Sequence, residues 1–191
     1  WGPASTPASL RARAQSAQAR FDEGEAFATQ EKWDEALAAF RAAVEKDPEM
    51  SGAWYMIGAA EVAKNSAVPC EAAHDPLKRC LELDPDNAGA HCGLGGVLLY
   101  VREDDVRAEE HFRAALPRWV PAHRGLAEIF QERGDLDGAI REMLAHIDKG
   151  DPDGDGKARL AELRAMQHDA LEKASARAEH AAASLLAEAE R

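Results

Sequence analysis

Residues 151–162 read Asp-Pro-Asp-Gly-Asp-Gly-Lys-Ala-Arg-Leu-Ala-Glu, the stretch whose residue types and spacing come nearest to a chemical site. Carboxylates stand at positions 1, 3 and 5, glycine at 6 and glutamate at 12, the pattern with which a twelve-residue loop wraps oxygens around calcium. Asp151, Asp153 and Asp155 would bind through their side chains, Lys157 through its carbonyl and Glu162 through both carboxylate oxygens. Three features pull the other way. Ala158 stands where a larger aliphatic is usual, no second loop exists to pair with, and Asp151-Pro152 is placed to end a helix. Two readings stay open at this point: a calcium loop, or a polar, Gly-rich turn ahead of a last helix.

Other chemistry is sparse. No Gly-rich phosphate loop, His-Glu-x-x-His motif or nucleophile–base pair is present, and the seven histidines are scattered. His91 and His123 are read as packing residues. Cys70, Cys80 and Cys92 are an odd count at spacings that fit no zinc or redox motif, and are expected as structural thiols. The chain is therefore read as no enzyme, without catalytic residues, and with calcium as its one candidate cofactor. A net charge of −12 argues against binding along a phosphate backbone. No apolar run approaches the ~18–20 residues that span a bilayer. The start at Trp1 is read as a processed or trimmed N-terminus, compatible with cytosol, organelle or periplasm.

The elements that would position any site repeat. Gly24, Gly58, Gly95 and Ala127 each open a helix pair, and each pair closes with three residues spaced by four and then three. Those closing sets are Ala36/Phe40/Ala43, Ala73/Leu77/Cys80, Ala108/Phe112/Ala115 and Ala139/Met143/His146, each on one helix face. The openers recur at 34, 37 and 32 residues, near the period of a helix–turn–helix array. Asp47-Pro48, Asp84-Pro85 and Asp151-Pro152 punctuate the pairs. Repeats are expected at 17–50, 51–87, 88–119 and 120–152 within a region 10–156. An extended arm is expected at 1–9, and a capping helix from 157 that runs into an exposed Ala/Glu/Arg-rich tail to 191. Repeat two carries an insertion around Asn65-Ser66-Ala67-Val68-Pro69.

These residues resemble the tetratricopeptide repeat (TPR) family over about 17–152. Trp54, Ile57 and Gly58 match the opening of the family's first helix, as do Leu94-Gly95, Leu126-Ala127, and Gly24 with Phe27. Gly134-Asp135 matches its inner turn, and Trp33 stands where tyrosine is usual. The resemblance implies an all-α superhelical solenoid whose first helices line a concave groove. Phe21, Glu25, Tyr55, Val62, Cys92, Leu99, Tyr100, Arg124, Glu128 and Gln131 would face it. Members that hold acidic chaperone tails (the EEVD type) use a Lys/Asn/Lys/Arg clamp; here Phe21, Glu25, Met56, Gly89 and Gly93 stand at those places, so that ligand is rejected. The expected function is a non-catalytic protein–protein interaction scaffold, adaptor or accessory subunit, binding an apolar or amphipathic segment in the groove. One alternative is a calcium-responsive module through the EF-hand-like loop at 151–162. The other is an architectural subunit held by its arm, tail and convex face.

Overall fold

The computed structural model describes residues 7–66, 68–152 and 154–189. The order is α1 (Pro7–Ala28), α2 (Trp33–Lys46), α3 (Ser51–Lys64), a 3-10 turn at Glu71–Ala73, α4 (His74–Leu83), α5 (Ala88–Tyr100), α6 (Asp105–Ala115), α7 (Ala122–Glu132), α8 (Leu136–Asp148) and α9 (Gly156–Ala189), with no strand among the described residues. The fold class is the expected one, all-α and built from helical hairpins. The start differs: Pro7–Ser9 belong to the first turn of α1, while residues 1–6 of the expected arm lie outside the described residues. Proline is tolerated there because a helix's first N–H groups have no intrahelical partner.

Local chemistry sets the boundaries. The side chains of Asn87, Asp104 and Asp135 accept hydrogen bonds from the backbone N–H of Ala90, Arg107 and Gly138 at 3.0, 3.1 and 2.8 Å, capping α5, α6 and α8. In the inner turn of each hairpin one residue takes positive φ: Glu31 (57°), Ser66 (58°), Glu103 (53°) and Gly134 (78°). The turns between hairpins are held by the fourth residue of the next repeat. Trp54 Nε1 donates to the Pro48 carbonyl at 2.9 Å, and His91 Nε2 donates to the Pro85 carbonyl at the same distance.

The chain divides into two compact units between Ala122 and His123. In the first, Ala36, Phe40, Ala43, Ala53 and Ile57 form a buried cluster with Phe21, Phe27, Trp33 and Trp54 packed on it. In the second, Ala127, Ala139, Met143, Leu160 and Leu163 do so, with Phe130 and Ile140 against them. The opening residues are small because their partners fill the crossing. A Cβ on Gly24 would stand 2.5 Å from the Phe40 ring, and one on Gly58 2.5 Å from Leu77 Cγ. At Gly95 the Phe112 ring is 3.0 Å away. At the fourth crossing Ala127 keeps its methyl, and its cluster holds flexible Met143 in place of a rigid ring.

Those distances rank three substitutions. Replacing an in-helix glycine by alanine gains about 1 kcal/mol of helix propensity, while overpacking costs about 1–3 kcal/mol. Gly24→Ala and Gly58→Ala should therefore destabilise by about 1–2 kcal/mol, and Gly95→Ala should be near neutral. Urea unfolding monitored by circular dichroism checks the order.

Candidate functional site

Phe21, Tyr55 and Cys92, the fifth residues of the first three repeats, stand at matching places on α1, α3 and α5, and the first two are seated on the next hairpin. Phe21 on α1 packs against Phe40 with ring centroids 5.6 Å apart, and its ring reaches to 3.9 Å from where a Gly52 Cβ would lie. Tyr55 on α3 lies across Gly89, where a Cβ would come within 2.8 Å of the phenol. Burial raises the Tyr55 phenol above its ordinary range, with Cys92 and Cys80 adding to the effect. Glycine at these places lets a ring rest flat on the following helix. Cys92 and Val62 are half-buried, and Glu25 is exposed. Leu99 is buried at 6% exposure, while Tyr100 is 51% exposed.

The insertion of repeat two, of which Ala67 lies outside the described residues, meets α5 at Pro69, and the 3-10 turn that follows it is tied to Arg102 just past the end of α5. Pro69 Cγ would be 3.2 Å from a Cβ on Gly96, and Arg102 forms an ion pair with Glu71. Gly96 is one turn on from Cys92, so the inserted proline rests on the face that the family resemblance assigns to the groove. The sequence shows that insertion by its length but not its docking point, whose only mark is a glycine inside a helical pattern.

Arg124, Glu128 and Gln131 of the second unit are drawn together by α9. Arg124 approaches Glu128 at 3.4 Å and Asp155 at 3.3 Å, and Arg159 donates to the Gln131 side chain at 2.7 Å. The Glu128 side chain is 19% exposed, and burial pushes its carboxyl up to about 7 against the opposing pull of Arg159. Glu132 and Asp155 push the same way as burial. Arg159 was missed by sequence reasoning because it lies beyond the repeats.

The proposed metal ligands are dispersed. Asp151 takes φ +43° and accepts from the Gly156 N–H at 3.1 Å, with His146 Nε2 at 3.4 Å from the same oxygen. Asp155 faces Arg124, Glu162 pairs with Arg159 at 2.7 Å, and Lys157 is exposed. Asp153 lies outside the described residues. Among the described residues no three His, Cys, Asp or Glu side chains are grouped to hold a metal.

The histidines are organised more than their scatter suggests. Because His91 Nε2–H donates to Pro85, its Nδ1 presents a lone pair, and His111 Nδ1–H donates to it at 2.8 Å. The rings lie 5.1 Å apart. Burial lowers His111 below the ordinary histidine range, the neighbouring His91 and His74 act the same way, and Glu110 opposes them. His123, 6% exposed, donates from Nδ1 to Glu142 at 2.7 Å and accepts from Lys149 at 2.9 Å. Both are packing residues that also carry polar links. Burial raises the Cys80 thiol to about 11, which leaves it unreactive near neutral pH.

Two pH effects follow, with opposite signs. A carboxyl raised above its unfolded value near ~4.3 makes the fold lose stability as pH climbs from there to about 7. Glu128→Gln should thus stabilise by on the order of 1–2 kcal/mol at pH 8, after a discount for solvent screening, and the gain should vanish toward pH 4 in urea titrations. A lowered histidine acts the other way, its stability present above ~6.5 and lost as pH falls. Nuclear magnetic resonance titration of His111 should give a midpoint under ~6.5. In His91→Trp, which keeps an N–H for Pro85, that midpoint should rise yet stay below the ordinary value, since burial is the larger cause.

Comparison with known proteins agrees with this geometry. The family model described as tetratricopeptide repeat matches residues 8–51 and 21–67. No curated protein sequence matches the chain. Among solved structures, PilF of Pseudomonas aeruginosa shares 16% identity at a TM-score of 0.68, over 83% of this chain and 72% of that one. YrrB, a TPR protein, shares 20% identity at 0.60, over 78% and 76%. MamA shares 18% at 0.60, over 76% and 89%. Identities this low speak to the fold alone. Residues 8–67 carry the tetratricopeptide-repeat signature, and the chain shares its helical-hairpin fold with solved tetratricopeptide-repeat structures.

Proposed function

We propose that the chain is a non-catalytic scaffold that binds a protein segment of apolar or amphipathic character on the first unit's groove face. The observation that carries this is Tyr100, a large aromatic half in solvent at the end of α5, adjoining buried Leu99. Phe21 and Tyr55 add rings already held in place by Phe40 and Gly89, so a ligand would meet a preorganised surface. One of the structures that share the fold, YrrB, is described as having an unusual peptide-binding site, which supports a peptide ligand for this fold.

The architectural alternative rests on α9. Residues 170–185 are exposed, and Leu171 and Leu185 stand 65% and 68% in solvent. A helix with so little buried of its own is suited to lying along another protein. A calcium-responsive module would require Asp155 and Glu162 to leave Arg124 and Arg159.

Photo-crosslinking in cells of the source organism separates the first two readings. A benzoylphenylalanine at Tyr100 should give discrete protein adducts, and one at exposed Glu31 should give none. Tyr100→Ala should lower recovery of the same partners about tenfold, the effect expected of an aromatic anchor. Absence of adducts at Tyr100 rejects the groove reading, and adducts confined to Leu171 establish the architectural one.

A further inference from the structure

A second cleft of about 440 Å³ opens in the first unit between α4, α5 and α6. Its floor includes Leu94 and Leu98 of α5, and Lys78, Arg102 and Arg107 stand around it. On α5 these leucines lie roughly 200° and 240° around the helix from Cys92, so the cleft faces away from the groove. It is independent of the reading proposed above for Tyr100.

The charge there runs against that of the molecule. The chain carries −12 overall, yet this lining holds three permanent cations and a single carboxylate, Glu82. Glu82 is engaged by Arg79 at 2.8 Å. The carboxylates that answer the other cations are not part of the lining. Glu71, 60% exposed, pairs with Arg102, and Asp104 reaches Arg107 at 3.5 Å, where the arginine side chain is 71% exposed. Exposed pairs of this kind contribute at most about 1 kcal/mol, so an incoming carboxylate can share or replace them. Lys78 has no ion-pair partner among the described residues.

We propose that this cleft docks an acidic peptide segment, with a leucine-sized side chain set against Leu94 and Leu98 and flanking carboxylates on Lys78, Arg102 and Arg107. An apolar floor inside a cationic rim selects both properties at once. A polyphosphate backbone would use the rim and waste the floor, since nucleotide bases need aromatic faces to stack on.

The test is fluorescence anisotropy with the full chain and a labelled helical peptide bearing leucines at i, i+3 and i+7 and glutamates elsewhere. Binding should weaken about fivefold or more when the glutamates become glutamines, or when the leucines become serines. The same loss should follow in the protein variant Lys78→Glu/Arg107→Glu, whose exposed positions leave the circular dichroism melt unchanged. Lys78→Arg/Arg107→Lys should restore it, and Tyr100→Ala should have no effect. No binding of the glutamate peptide overturns the proposal. So does equal binding of the glutamine peptide, or tighter binding of a single-stranded oligonucleotide.

Discussion

Everything in this molecule depends on how closely two helices of a hairpin can cross. Gly24 against Phe40, Gly58 against Leu77 and Gly95 against Phe112 are one steric solution repeated, in which a missing Cβ on one helix admits a large side chain from the other. The large side chain then occupies the space where neighbouring elements must also pack, so one contact serves the hairpin and its stacking together. The fourth crossing reaches the same end by another route, with alanine facing a methionine that can bend.

A second constraint acts between hairpins. The backbone carbonyl of each Asp-Pro turn needs a donor, and the repeat's fourth residue supplies one from an indole in Trp54 and from an imidazole in His91. The replacement keeps the hydrogen bond and adds a lone pair that tryptophan lacks. His111 uses that lone pair, and the turn's hydrogen bond is thereby extended to α6. At His123 no Asp-Pro turn precedes the helix, and the imidazole turns to Glu142 and Lys149.

Much of the fold was legible in the sequence because it rests on residue size and spacing. The small openers, the triplets that face them and the proline punctuation all leave marks that survive without coordinates. The site was less legible. The positions of Phe21 and Tyr55 could be placed on one face, but their seating on Gly52 and Gly89 depends on contacts between hairpins. The loop at 151–162 has calcium-like spacing, yet its described carboxylates answer Gly156 and Arg159 of the same stretch and Arg124 of α7, and that last partner is one a linear pattern does not contain. Three of the four inner-turn residues with positive φ are Glu31, Ser66 and Glu103, where glycine would have announced the turn. The junction at Pro7–Ser9 was misjudged because prolines and serines that suggest an extended arm also suit a helix's first turn.

The last helix has a mechanical consequence. It is 34 residues long, about 51 Å at the usual rise, and its large buried side chains, Leu160 and Leu163, lie in its first turns. The remainder projects some 38 Å past that root. A tilt of about 10° at the root would sweep the far end through roughly 7 Å. Any small rearrangement around Arg124, Glu128 and Asp155, which flank the start of this rod, would thereby be magnified at its far end.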